Sequence, residues 1–204
     1  MPDPGGPATR GGEPGDHSAC SPARCYQGLE DLSRVLIGEE ELRTRVCELG
    51  AQISRDYAGR DLLLVGVLRG VLVFMADLLR AITIPVSVDL ISISSYGPSV
   101  ETHGVVRLTK DLEESIQGRH VLFVEDVIDT GLTLAYLLRT LRARGPASLK
   151  VCVLLDKRAH RLIDVEVDYR GFELRDEYVV GYGLDHRQRY RNLPVIGVLK
   201  PERY

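Results

Sequence analysis

An α/β fold, with a mostly parallel twisted sheet flanked by helices, is what this sequence predicts. Three observations carry that expectation. Three short runs, Leu62 to Val67, His120 to Val124 and Leu149 to Leu155, are largely apolar rather than alternating, as strands buried on both faces are. Helical stretches stand between such runs, the arrangement that places helices on both sides of a parallel sheet. Each run also ends in a polar turn, and in sheets of this kind ligands bind beyond the carboxyl ends of the strands.

The elements follow in order. Residues 1 to 28 hold 5 of the 10 prolines and almost no aliphatic side chains. A segment of that composition buries too little apolar surface to offset its ordering entropy, so a disordered tail is expected there, followed by one domain over residues 29–204. Order is expected from about Leu32. From Glu39 to Tyr57, Leu42, Val46, Leu49, Ile53 and Tyr57 recur every three or four positions, the pattern of an amphipathic helix that stops at Gly59. The strand at Leu62 leads through a tight turn at Arg69-Gly70 to a helix over Val71 to Ala81. Val86 to Ile93 reads as a strand, Ser94 to Gly104 as a polar loop, and Val105 to Leu108 as a returning strand. The strand from His120 leads to a loop over Glu125 to Thr133 and a helix from Thr133 to Arg144, closed by Gly145-Pro146.

Bulk properties bound the function. The 204 residues are 44% hydrophobic and 27% charged, with a formal net charge of -3. Nothing in that balance supports a nucleic-acid partner. The most apolar stretch, Leu62 to Leu68, is far short of a bilayer span, and no membrane association or targeting segment is expected. The four cysteines form no CxxC pair, and a reducing, cytoplasmic setting is the plain inference.

The most informative segment runs from Glu125 to Thr133. A buried strand delivers Glu125 and Asp126, Asp129 follows, and then Thr130, Gly131, Leu132 and Thr133 open a helix. Hydroxyls and unpaired N–H groups at a helix start suit a phosphate dianion. Glu125 and Asp126 can take the vicinal hydroxyls of a ribose, or reach a magnesium ion through water. A helix cap alone needs one such residue, not three carboxylates beside a buried strand.

This segment resembles the phosphoribosyl diphosphate (PRPP) signature of type I phosphoribosyltransferases. Leu68-Arg69-Gly70, Ser95-Tyr96, Leu155-Asp156-Lys157-Arg158, Tyr178 to Asp185 and Arg189 to Leu193 are similar to motifs of the hypoxanthine-guanine branch, in order over about residues 30 to 204. The resemblance implies a small purine-binding hood built mainly from the C-terminal part, a homodimer or homotetramer, and magnesium as cofactor. It implies transfer of the phosphoribosyl group of PRPP to N9 of a 6-oxopurine. Asp129 corresponds to the general acid/base near purine N7, although it also sits where a helix cap would. Arg69 and Arg191, with Leu68 and Gly70, correspond to the pyrophosphate site. Lys157 corresponds to the donor to purine O6, with Arg158 as its rival. Tyr178 is the stacking partner, Ile128 and Leu184 are apolar contacts, and Val179 offers its backbone to the purine edge. Asp185, with Glu125 and Asp126, corresponds to the metal site, and Ser95 and Tyr96 to a closing lid. Three residues depart from the pattern: Arg175 replaces a proline, Arg170 an apolar residue and His186 an aromatic one.

Overall fold

The structure, a computed structural model, describes residues 26–95 and 106–204. The expected lid residue Tyr96 and most of the expected tail lie outside the described residues, as does the side chain of Ser95. In chain order the elements are β1 (Leu32–Ile37), α1 (Glu39–Asp56), β2 (Leu62–Leu68), α2 (Leu72–Ala81), β3 (Val86–Ser95), β4 (Val106–Lys110), β5 (His120–Ile128), α3 (Leu132–Arg142), β6 (Ser148–Asp156), β7 (Tyr169–Glu173) and β8 (Ile196–Leu199).

Six strands form one sheet in the order β4-β3-β2-β5-β6-β7. Every pairing in it is parallel except β3 with β4, which run antiparallel. The near-continuous apolar runs are explained by what covers each face. Leu62, Leu64, Leu122 and Val124 point toward α1 and α2, where they pack with Leu49, Ile53, Phe74 and Leu78. Leu63, Val65, Phe123 and Val153 point the other way, onto Leu134, Leu137, Leu138 and Leu141 of α3. A side chain of either parity is therefore buried.

A second, two-stranded antiparallel sheet pairs β1 with β8. It carries its own small core of Leu32, Val180, Leu193 and Leu199, with Tyr26 and Tyr190 packed at the margin. Tyr190 Oη donates to Asp31 Oδ2 at 2.9 Å and Arg203 pairs with Asp31 at 2.8 Å, tying the two chain ends together.

The boundaries differ from the sequence expectation in one place that matters. β5 does not stop at Val124: Glu125, Val127 and Ile128 keep pairing with Val153, Leu155 and Asp156 of β6. The acidic residues are thus strand residues, and the loop proper begins at Asp129. The strand alternation this imposes sends Glu125 and Asp126 to opposite faces.

Candidate active site

β2, β5 and β6 end side by side, and two adjoining cavities lie at their carboxyl ends. The larger, about 360 Å³, is lined by Arg69, Gly70, Asp126, Val127, Asp129, Lys157, Tyr178, Val179, Leu184, Asp185 and Arg191. The smaller, about 190 Å³, is lined by Glu125, Ile128, Thr130, Gly131, Thr133 and the start of α3. Val127 and Asp129 belong to both. A roomier hollow of about 630 Å³ lies beside α1 and α2. There Asp77 is already engaged by Arg80 and by Tyr182 Oη, so fewer of its charges face the space.

The smaller cavity opens on the start of α3. Gly131 caps α3 with a φ of 80°, a left-handed conformation costly for residues with a Cβ. The first turn of an α-helix leaves N–H groups without intrahelical partners, and here they open beside the hydroxyls of Thr130 and Thr133. Ile128, expected against a base, lines this cavity instead. Counted from Glu125 and Asp126, strand alternation would put Val127 with Glu125 and Ile128 with Asp126; instead Val127 reaches both cavities and Ile128 the smaller, so the alternation breaks at the end of β5.

Asp126 is buried, and the chain makes room for it only because residue 70 is glycine. A Cβ there would fall 1.6 Å from Asp126 Oδ2. The backbone N–H of Val127 donates to Asp126 Oδ1 at 2.7 Å. Burial outweighs that bond and pushes the carboxyl up to about 6. Burial, helped by the neighbouring Asp126, also holds Glu125 well above the usual carboxylate range, and its Oε2 is buried without a hydrogen-bond partner. These carboxylates are costly to ionise in the empty fold. An unfolded Asp ionises near pH 4, so the stability Asp126 contributes is full below that value and is lost as pH rises through about 6. Asp126→Asn is therefore expected to match the parent in acid and to exceed it at pH 8 by about 1–3 kcal/mol, in ligand-free denaturant unfolding. A stability difference independent of pH would contradict this.

Arg69 and Arg191 converge on one acceptor. Gln188 Oε1 takes Arg69 Nη1 at 3.0 Å and Arg191 Nη2 at 3.3 Å. Arg191 also pairs with Asp185 at 2.6 Å and donates to the carbonyl of Gly183 at 2.6 Å. The Leu68–Arg69 peptide is cis. Gln188 was not anticipated. Its neighbours Arg187 and Tyr190 share its positive φ, and that backbone path leaves no mark in residue type.

At the other end of the cavity stands Lys157. It is buried, and among the described residues it forms no ion pair, while Arg158 beside it is exposed. That geometry favours Lys157 over its rival. Tyr178 is about half exposed at the rim, its hydroxyl donating to the carbonyl of Asp185 at 2.9 Å. Val179 and Leu184 are buried beneath it. Two of the departures find a reason here. Arg170 and Arg161 pair with the fully buried Asp156 at 2.6 and 2.7 Å, fixing the turn that aims Lys157. His186 stacks edge-on against Tyr178 with ring centres 5.7 Å apart. Nothing in the structure explains Arg175.

Among the described residues no group of three or more His, Cys, Asp or Glu is placed to hold a metal ion. Asp185, engaged by Arg191 and by the N–H of Gln188 at 2.8 Å, and Asp126 face the same cavity. Two carboxylates completed by substrate oxygens and water fit magnesium, which seldom uses an all-protein cage. Glu125, facing the other cavity, is not beside them.

The family model for the phosphoribosyl transferase domain matches residues 38–187. The chain belongs to the phosphoribosyltransferase family. Within it, the chain is 49% identical over 174 residues to a hypoxanthine-guanine phosphoribosyltransferase of Bacillus subtilis, covering 85% of this chain and 97% of that one. A relative of the same name from Mycobacterium avium is 48% identical over 189 residues, covering 90% and 92%. A solved hypoxanthine phosphoribosyltransferase from Staphylococcus aureus superposes with a TM-score of 0.82 at 46% identity, over 86% of this chain and 95% of that one. The phosphoribosyltransferase motifs and the cavity they line thus coincide.

Proposed function

We propose that this chain transfers the phosphoribosyl group of PRPP to N9 of hypoxanthine or guanine, giving IMP or GMP and pyrophosphate, a purine-salvage reaction. One observation supports the 6-oxopurine most: a buried lysine without an ion partner among the described residues shares a cavity with Asp129, Tyr178 and two converging arginines. A lone buried ammonium is costly unless a ligand supplies an acceptor, and purine O6 is one.

In this reading Tyr178 stacks on the base over Leu184 and Val127, with Val179 at its edge. Lys157 donates to O6, and Asp129 receives the N7 proton as N9 forms its bond to the ribose. Thr130 to Thr133 hold the 5′-phosphate, and Glu125 and Asp126 take the ribose hydroxyls. Arg69 and Arg191 release Gln188 for diphosphate oxygens, which guanidinium forks fit in the same manner. Asp185 and Asp126, completed by substrate oxygens, would hold magnesium, which would neutralise charge on the leaving diphosphate. The sheet of β1 and β8 with the Tyr178 segment forms the hood, and Ser95-Tyr96 belongs to a lid that shields the ribose centre from water. Among the described residues no helix is long and apolar enough to cross a membrane. Cys47 and Cys152 are free, which supports a cytoplasmic site, and a homodimer or homotetramer is part of the family resemblance.

Turnover tests the reading: purified chain with PRPP and magnesium should convert both hypoxanthine and guanine. Failure with both bases overturns it.

A further inference from the structure

His160 takes no part in the roles above, yet both of its ring nitrogens are engaged. Nδ1 lies 3.2 Å from Asp129 Oδ1, and Nε2 lies 2.6 Å from Asp176 Oδ2. His160 closes a short 3-10 turn, Arg158–His160, that starts directly after Lys157. The N–H of Lys157 in turn donates to the carbonyl of Ile128 at 3.0 Å, next to Asp129. Asp176 stands two residues before Tyr178. One imidazole therefore joins the three segments that carry Asp129, Lys157 and Tyr178.

We propose that His160 is a positioning residue for the phosphoribosyl transfer, fixing the carboxylate of Asp129 against the base site and anchoring it to Asp176. The inference rests on the role given to Asp129 above. Its physical basis is that Asp129 stands at a strand end with its side chain about half exposed. Without a partner such a carboxylate samples several rotamers, and a misplacement of about 1 Å costs up to about 10²-fold in rate. Imidazole suits the post because the contact survives the change of Asp129 in the reaction. As Asp129 removes the proton from N7, the N7–H bond breaks and one proton enters the pair. Donation to both carboxylates takes the imidazolium form, in which Nδ1–H points to Asp129 Oδ1 before transfer; the N7 proton then forms its bond to Oδ2, and Oδ1, now a carbonyl oxygen, still accepts from Nδ1–H. Nε2 faces Asp176 Oδ2 at 2.6 Å, so the ring is held between two carboxylates. The arrangement follows the logic by which a carboxylate orients a histidine in hydrolytic triads, here with the histidine orienting the carboxylate.

The test is a double-mutant cycle on the full chain, assayed with PRPP, magnesium and hypoxanthine. His160→Phe keeps the ring shape and removes both polar contacts. It should lower kcat about 10-fold or more while the KM for PRPP changes less than about twofold. In an Asp129→Asn background the same substitution should have almost no further effect, because the carboxylate it orients is gone. Equal fold losses in both backgrounds would show a general structural role and overturn the proposal. So would wild-type kcat in His160→Phe. His160→Gln, which retains one of the two contacts, covers the case in which the Phe variant does not fold: an intermediate loss supports the proposal and full activity overturns it. If Asp129→Asn alone turned over normally, the role of Asp129 would fail and the positioning role with it. If Asp129→Asn is impaired and His160→Phe is not, only the positioning role fails.

Discussion

Asp129→Asn should lower kcat by about 10²–10⁴, the range for loss of a general acid/base group. Asparagine keeps the size and the hydrogen-bonding outline of the side chain but cannot take a proton. Asp129 lines both cavities, at the junction between the smaller one and the space that ends at Lys157. A group at that junction meets the base where it joins the sugar. In the proposed reading the phosphate contacts belong to Thr130 to Thr133 and the diphosphate contacts to Arg69 and Arg191, so PRPP binding should survive the change. Steady-state kinetics with direct PRPP titration separate the two effects. Unchanged turnover, or a loss wholly in PRPP affinity, would remove Asp129 from the chemistry.

Adenine should be a very poor substrate, with kcat/KM at least about 10³-fold below that of hypoxanthine. The ammonium of Lys157 has three donors and no acceptor. Hypoxanthine and guanine present an oxygen at position 6, and adenine an amino group. With adenine bound, a buried charged donor faces another donor, and no ion pair among the described residues relieves it. Sites built around a hydrogen bond of this kind discriminate by about 10⁴–10⁵; the smaller figure allows for relaxation of a pocket that is open at Tyr178. Lys157→Gln should narrow the gap, because a side-chain amide can offer either a donor or an acceptor. Comparable use of adenine and hypoxanthine by the unaltered chain would defeat both the role of Lys157 and the 6-oxopurine assignment.

The parts of the fold legible in sequence are those governed by apolar periodicity. Leu42, Val46, Leu49 and Ile53 marked α1 because one helix face packs on the sheet, and Leu62 to Val67 marked β2 because both its faces are covered. β1 and β8 escaped notice because they form a small two-stranded sheet in which Val35 is half exposed, so neither pattern develops. β7 was hidden for a related reason: Arg170 points to the buried Asp156, placing a charge where a strand pattern calls for an apolar residue. At the site, residue types revealed the acidic segment, the two arginines and Lys157. Side-chain direction did not follow from them: Glu125 and Asp126 line different cavities, and the alternation breaks at the end of β5, so that Val127 rather than Ile128 lines the larger cavity. Gln188 and His160 were invisible for another reason. Their partners, Arg69 and Asp176, lie on other segments, and only the folded chain brings them together.

The reaction itself can be followed in one vessel. Purified chain, PRPP, magnesium and hypoxanthine are combined, and nucleotide and pyrophosphate are quantified together. The account predicts IMP and pyrophosphate in equal amounts, GMP likewise from guanine, and no appreciable product from adenine. Absence of nucleotide from both hypoxanthine and guanine, with PRPP consumed only by another acceptor, would contradict it.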